Sequence, residues 1–147
     1  MMNSIYIGSD HAGFETKQKI VEWLKNNNYT VNDLGTNSLD SVDYPDYAFK
    51  VCNEVIKNKH SLGVLICGTG FGMCIAANKV KGIRAVDVIK SDMASLAKQH
   101  NNANVLCLSG RFISIDENIK IVSNFLNTTF EDRHQKRLDK ITNYENQ

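Results

Sequence analysis

Several features that would assign this chain to a large class are scarce or missing. Proline occurs once, at Pro45, so no proline-rich linker divides the sequence. No apolar run approaches the roughly 20 residues of a membrane-spanning helix. The sequence does not open on a basic stretch, an apolar stretch and a small-residue cleavage site, as a secretory leader would. A soluble, cytoplasmic protein is expected. Neither sign of charge dominates: 17 Lys and Arg against 16 Asp and Glu give a formal net charge of +1. No global field therefore calls for nucleic acid or a membrane surface. The cysteines, Cys52, Cys67, Cys74 and Cys107, form no C-x-x-C pair and no zinc-type spacing with histidine. They read as reduced thiols, three of them as core filler. No internal repeat or low-complexity segment is found.

What remains is a regular alternation. The 147 residues suit one domain, 1–147. Short apolar runs predict strands over 4–8, 29–35, 62–68, 83–89 and 104–110. The third, "LGVLICG", is apolar throughout, as a strand buried on both faces should be. Amphipathic stretches predict helices over 14–28, 45–58, 72–80, 92–101 and 115–128. Pro45 opens the second, where its missing N–H costs nothing. The polar tail from Glu131 reads as a final helix. Strands alternating with helices imply an α/β fold: three-layer α/β/α, a doubly wound, Rossmann-like five-stranded parallel sheet with an extra C-terminal helix.

In open parallel sheets, ligands bind beyond the carboxyl ends of the strands. Polar residues and glycines gather there: Ser9-Asp10-His11-Ala12-Gly13 after the first strand, and Gly35-Thr36 with the acidic, aromatic "DSVDYPDY" after the second. Cys67-Gly68-Thr69-Gly70-Phe71-Gly72 follows the third and Ser109-Gly110-Arg111 the fifth. The glycines could bring backbone N–H groups close to an anion, or could simply serve a tight turn. The loop is no dinucleotide fingerprint, because Met73 stands where a third glycine belongs, and no P-loop, because no Gly-Lys-Ser/Thr follows. Cys67, at a helix N-terminus, suits a nucleophile or general base; taken alone it reads equally as a packed small residue.

Asp10 can cap a helix and His100-Asn101 can end one. His60 and His134, in polar surroundings, read as solvated. Arg133, Lys136, Arg137 and Lys140 share one face of the last helix, which by itself reads as a solvated face.

Taken together, "GSDHAGF" (8–14), "DYPDYA" (43–48), "ICGTGFG" (66–72), "AANK" (76–79), "GIRA" (82–85), "QHNNANVL" (99–106), "GR" (110–111) and "DRHQKRL" (132–138) resemble the type B ribose-5-phosphate isomerases of the ribose/galactose isomerase superfamily. The resemblance runs in order along nearly the whole chain. It implies strand order 2-1-3-5-4 and reversible conversion of ribose 5-phosphate to ribulose 5-phosphate, with no metal and no organic cofactor. Cys67 matches the family's base, and its presence marks the Cys subtype over the one using a Glu. His100 matches the ring-opening residue, and Thr69 would assist by hydrogen bonding near the ring or the enediolate. The N–H groups of Gly68, Thr69, Gly70, Phe71 and Gly72 would hold the enediolate oxygen. Asp10 and Asn101 match positions that hold sugar hydroxyls, and Tyr44 would cover the sugar. His11, Arg111, Arg133 and Arg137 match the phosphate site. The family completes each site with a neighbouring subunit, so a homodimer is the smallest working unit and a homotetramer a common one. Phe71 and Met73 are bulkier than the loop's usual residues. Two rival readings stand: a hexose-phosphate isomerase acting on allose or galactose 6-phosphate, and a non-catalytic sugar-phosphate-binding protein.

Overall fold

The apolar runs become strands wherever both of their faces can be covered. The computed structural model describes residues 4–147. The strands are β1 (Ser4–Ser9), β2 (Thr30–Asp33), β3 (Leu62–Cys67), β4 (Ala85–Asp87) and β5 (Val105–Ser109). The helices are α1 (Phe14–Asn26), α2 (Tyr44–Lys57), α3 (Phe71–Ala77), α4 (Ser91–Asn101), α5 (Ile115–Leu126) and α6 (Gln135–Glu145). Single 3-10 turns, His11–Gly13 and Asp132–His134, precede α1 and α6. All strand pairs are parallel, in the order β2-β1-β3-β5-β4. The expected architecture and strand order are both found.

Side chains alternate across the central strands with period two. Val64 and Ile66 of β3, with Leu106 and Leu108 of β5, pack under α1, α4 and α5 against Ile20, Ala94, Ile121 and Phe125. Leu65 and Cys67, with Val105 and Cys107, face α2 and α3 and meet Val51, Cys52 and Met73. Each fully buried Ile, Leu or Phe contributes about 1.5–3 kcal/mol, so the two cores clamp β3 and β5 and fix where their ends fall.

Three local devices bear on the site. Lys17 of α1 is wholly buried and its Nζ lies 2.7 Å from Asp33 Oδ2 at the end of β2, tying α1 to the sheet behind the Asp10–Gly13 turn. Ser109 Oγ donates to the Gly68 carbonyl oxygen at 2.7 Å and accepts from the Phe112 N–H at 3.0 Å, fastening the β3 and β5 ends together. At the other edge, Asn104 accepts from Arg84 N–H and donates to the Gly82 carbonyl, while Arg84 Nε donates to the Asn102 carbonyl. These bonds anchor the end of α4 beside the start of β4.

Two expectations need adjusting. The strand expected over 83–89 is paired only over Ala85–Asp87. The tail begins with a 3-10 turn, and the α-helix proper starts only at Gln135. Among the described residues, no helix is long and apolar enough to cross a membrane.

Candidate active site

The predicted site residues fall into two groups, at opposite edges of the sheet. The first stands beyond the carboxyl ends of the strands. Cys67 ends β3, is 5% exposed, and its Sγ accepts a hydrogen bond from the Gly70 N–H at 3.2 Å. An amide donor aimed at sulfur suits a negatively charged sulfur. Gly70 has φ +84°, and a Cβ there would lie 2.5 Å from Asp87 Oδ1. Both facts require glycine at this position.

Thr69 Oγ1 accepts from the Phe71 N–H at 3.1 Å, which leaves its own hydroxyl hydrogen free to donate outward. The Tyr44 ring covers Gly72: a Cβ on that glycine would come within 2.6 Å of ring carbons. The Arg111 guanidinium lies over Gly68, its Nη1 3.3 Å from where a Cβ would stand. Asp10 is buried, and its Oδ1 accepts from the Ala12 and Gly13 amides at 2.9 and 3.1 Å. It therefore caps the turn as the sequence allowed, with Oδ2 taking no part in that cap. His11 Nδ1 accepts from the Val42 N–H at 3.2 Å, so a neutral His11 carries its proton on Nε2.

The second group lies at the amino ends of the strands. Helix α4 follows β4 and must return antiparallel to it before β5 can pair in parallel with β4. Its last residues, His100 and Asn101, therefore stand about 15 Å from its start, one helix length away. The Glu131 N–H donates to the Gln99 carbonyl at 3.0 Å and brings the tail to this corner. There the His100 and His134 rings meet with centroids 4.6 Å apart. Glu131 Oε1 lies 3.9 Å from His100 Nε2, 3.8 Å from His134 Nε2 and 3.1 Å from Arg133 Nη2. Arg137 Nη1 lies 2.9 Å from His134 Nδ1. One chain thus assembles Asp10, His11, Tyr44, the Cys67 loop and Arg111 at one edge, and His100, Asn101, Arg133 and Arg137 at the other.

The reading of His134 as solvated is corrected: it is 7% exposed. Leu138 and His134 are the two buried residues of the tail, four apart on one stripe, and the turn folds His134 onto His100. Burial, with Arg133, His100 and Arg137 around it, holds its imidazole below the usual histidine range. His100, Glu131 and His134 offer three metal-type donor atoms within 4.8 Å of one another. The donor chemistry opposes a cation there. Arginine can only donate, so His134 Nδ1 accepts and Nε2 keeps its proton, while Arg133 already occupies the carboxylate.

Sequence reading missed two residues. Glu131 carried no signal beyond a charge in a polar tail. Asp87, at the end of β4, lies behind Gly70 with Oδ1 buried and no hydrogen-bond partner among the described residues. Burial pushes its carboxyl up to about 6. Of the remaining thiols, Cys52 is pushed up to about 12 by burial and is core filler. Burial likewise holds the Cys107 thiol well above the usual thiol range. Cys74 is drawn down to about 7 by a hydrogen bond with Cys107 and points into the sheet, 3.5 Å from the Ala85 carbonyl oxygen.

Comparison with known proteins gives the family of the chain. Residues 5–141 match the family model described as Ribose/Galactose Isomerase. The chain belongs to the ribose/galactose isomerase family. A curated family member from Mycoplasma genitalium, named "Probable ribose-5-phosphate isomerase B", is 55% identical over 99% of this chain and 97% of its own length. Ribose-5-phosphate isomerase B of Escherichia coli is 42% identical over 96% of this chain and 95% of its own. The crystal structure of ribose-5-phosphate isomerase B from Mycoplasma genitalium with bound ribulose-5-phosphate superposes with a TM-score of 0.97. It is 54% identical and covers 100% of this chain and 99% of that one.

Proposed function

We propose that this chain is a ribose-5-phosphate isomerase, interconverting ribose 5-phosphate and ribulose 5-phosphate through an enediolate. The observation that carries the reading is the Cys67 thiol under the Gly70 amide, heading a glycine loop in a chain that matches this family over nearly its whole length.

The chemistry follows in three steps. His100 gives a proton to the sugar's ring oxygen; the bond from that oxygen to C1 breaks, the O1 hydroxyl proton passes back to the now neutral imidazole, and an open aldehyde results. Imidazole suits this exchange near neutral pH. The Cys67 thiolate then takes the C2 proton, and the electron pair moves through C1 onto O1. With the Gly70 amide on Cys67 Sγ and the Phe71 amide on Thr69 Oγ1, the remaining amides of the 68–72 loop stabilise that oxyanion and the Thr69 hydroxyl donates to it. Finally Cys67 returns its proton to C1, the O2 proton passes to O1, which becomes the C1 hydroxyl, and C2 becomes the ketone. Asp10 and Asn101 hold sugar hydroxyls and Tyr44 closes over the ring. His11, Arg111, Arg133 and Arg137 bind the phosphate, the arginines as planar forks. No step needs a metal or an organic cofactor.

Because His100 and Cys67 stand at opposite edges of one sheet, the reading requires a second copy of the chain. In a homodimer, the tail corner of one subunit would face the glycine loop of the other. The groove beside the loop supports this: exposed Phe71, Ile89 and Phe112 line it with Thr69 and Ser109, apolar surface of the kind a partner covers. Pairing such dimers would give a tetramer. The four free thiols accord with work in the reducing cytoplasm.

The deciding experiment is ketose formation from ribose 5-phosphate by the purified protein, with chelator present and allose 6-phosphate and galactose 6-phosphate run beside it. Turnover of the pentose, indifferent to chelator, is expected. Turnover of a hexose phosphate alone would move the reading to that substrate. Turnover of none would leave sugar-phosphate binding without catalysis.

A further inference from the structure

The corner that holds His100 contains a carboxylate with no role in the steps above. Glu131 Oε1 stands between two imidazoles, 3.9 Å from His100 Nε2 and 3.8 Å from His134 Nε2, with Arg133 Nη2 at 3.1 Å. A bare surface ion pair with Arg133 would be worth little. Three features set this one apart. The Glu131 N–H is bonded to the Gln99 carbonyl, next to His100, so carboxylate and imidazole ride on one backbone unit. His134 is buried behind them, fixed by Arg137 on Nδ1, and turns its unpartnered Nε2–H toward the same side. The side chain of His100 is itself 41% exposed, so little besides the His134 ring and Glu131 restrains its rotation.

We propose that Glu131 is the positioning residue for His100. It takes the Nε2 side of the imidazole, so that Nδ1 is the atom serving the sugar's ring oxygen, and it supplies the counter-charge to the imidazolium that gives up the proton. Arg133 couples this to substrate. When Arg133 turns to the phosphate, it leaves Glu131 to close on His100, so phosphate binding is used at the reacting end. The proposal rests on the isomerase reading and on His100 as the ring-opening group.

Ring opening can be separated from enolisation. Ribulose 5-phosphate has no free C5 hydroxyl with which to close a ring, so exchange of its C1 protons with deuterium oxide needs the Cys67 half of the site and not His100. Two rates are compared in wild type, Glu131→Gln, His100→Asn and the double variant: ketose formation from ribose 5-phosphate, and C1 exchange of ribulose 5-phosphate followed by proton NMR. In Glu131→Gln, ketose formation should fall about tenfold while exchange stays within about twofold of wild type. In the His100→Asn background, Glu131→Gln should cost nothing further. Equal loss of both rates would make Glu131 merely structural and overturn the proposal, as would no loss of either or additive loss in the double variant. Wild type lacking both reactions would overturn the isomerase reading itself, and this role with it.

Discussion

Cys67 and His100 lie at opposite edges of one parallel sheet, the first ending β3 and the second closing the helix that runs back from β4. If sites form between subunits, two inactive variants can rescue each other. Cys67→Ala spoils one half-site and Arg137→Ala the other. Unfolded together in equal amounts and refolded, they should regain about one quarter of wild-type activity: half of the dimers are mixed, and each of those has one intact site. No recovery from chains shown to have mixed would mean sites built within one subunit.

Cys67→Ser keeps a small hydroxyl in the same pocket but removes the thiolate. The turnover number should fall at least about 100-fold, as for loss of a general base, while affinity for inorganic phosphate, measured by calorimetry, should hold. Unchanged turnover would assign the base elsewhere.

Gly70 combines φ +84° with a neighbour, Asp87 Oδ1, placed 2.5 Å from any Cβ. Gly70→Ala should therefore cost about 1–3 kcal/mol in urea unfolding. Turnover should fall with it, because the Gly70 amide that faces Cys67 Sγ would move. A variant as stable as wild type would show that the loop relaxes freely.

Asp87 makes a pH-dependent prediction. Its folded carboxyl is raised by burial to about 6, from the ordinary 3.8. The folded state therefore binds the proton more tightly than the unfolded state. The penalty of the buried charge is full above pH 6 and is relieved as pH falls from about 6 toward 4. Asp87→Asn should stabilise the protein at pH 7.5 by about 1 kcal/mol, after discounting for partial exposure, with the gain vanishing near pH 4. Thermal melts across that range check it; a gain independent of pH would remove the titration from the explanation.

Lys17 is wholly buried and its nearest carboxylate is Asp33. Asp33→Ala leaves that ammonium with the Gln18 side-chain oxygen, 3.1 Å away, as its remaining hydrogen-bonding partner. A loss of about 3 kcal/mol is expected, read from urea unfolding. Lys17→Met, which removes the buried charge together with its need for a partner, should cost less.

The sequence by itself determined the layers and the loops. Val64 to Cys67 and Val105 to Leu108 are apolar on both faces, so these strands belong mid-sheet under helices on both sides, and whatever follows them is gathered at the carboxyl edge. That rule is local and periodic, and it gathered Asp10, the loop holding Tyr44, Cys67 with its glycines, and Arg111 at one edge; the roles given to them, and to His100 and the tail arginines, came from family resemblance. Only the tertiary structure decided what meets across long stretches of chain. Asp87 reaches Gly70 because β4 is short and ends behind the loop. Glu131 and His134 meet His100, some thirty residues earlier, because one backbone bond to Gln99 folds the tail onto the end of α4. Lys17 could be buried because β2 places Asp33 within 2.7 Å of it. None of these pairings has a period, and a single Glu, His or Lys in a polar stretch looks the same in sequence whether it ends in water or beside another charge.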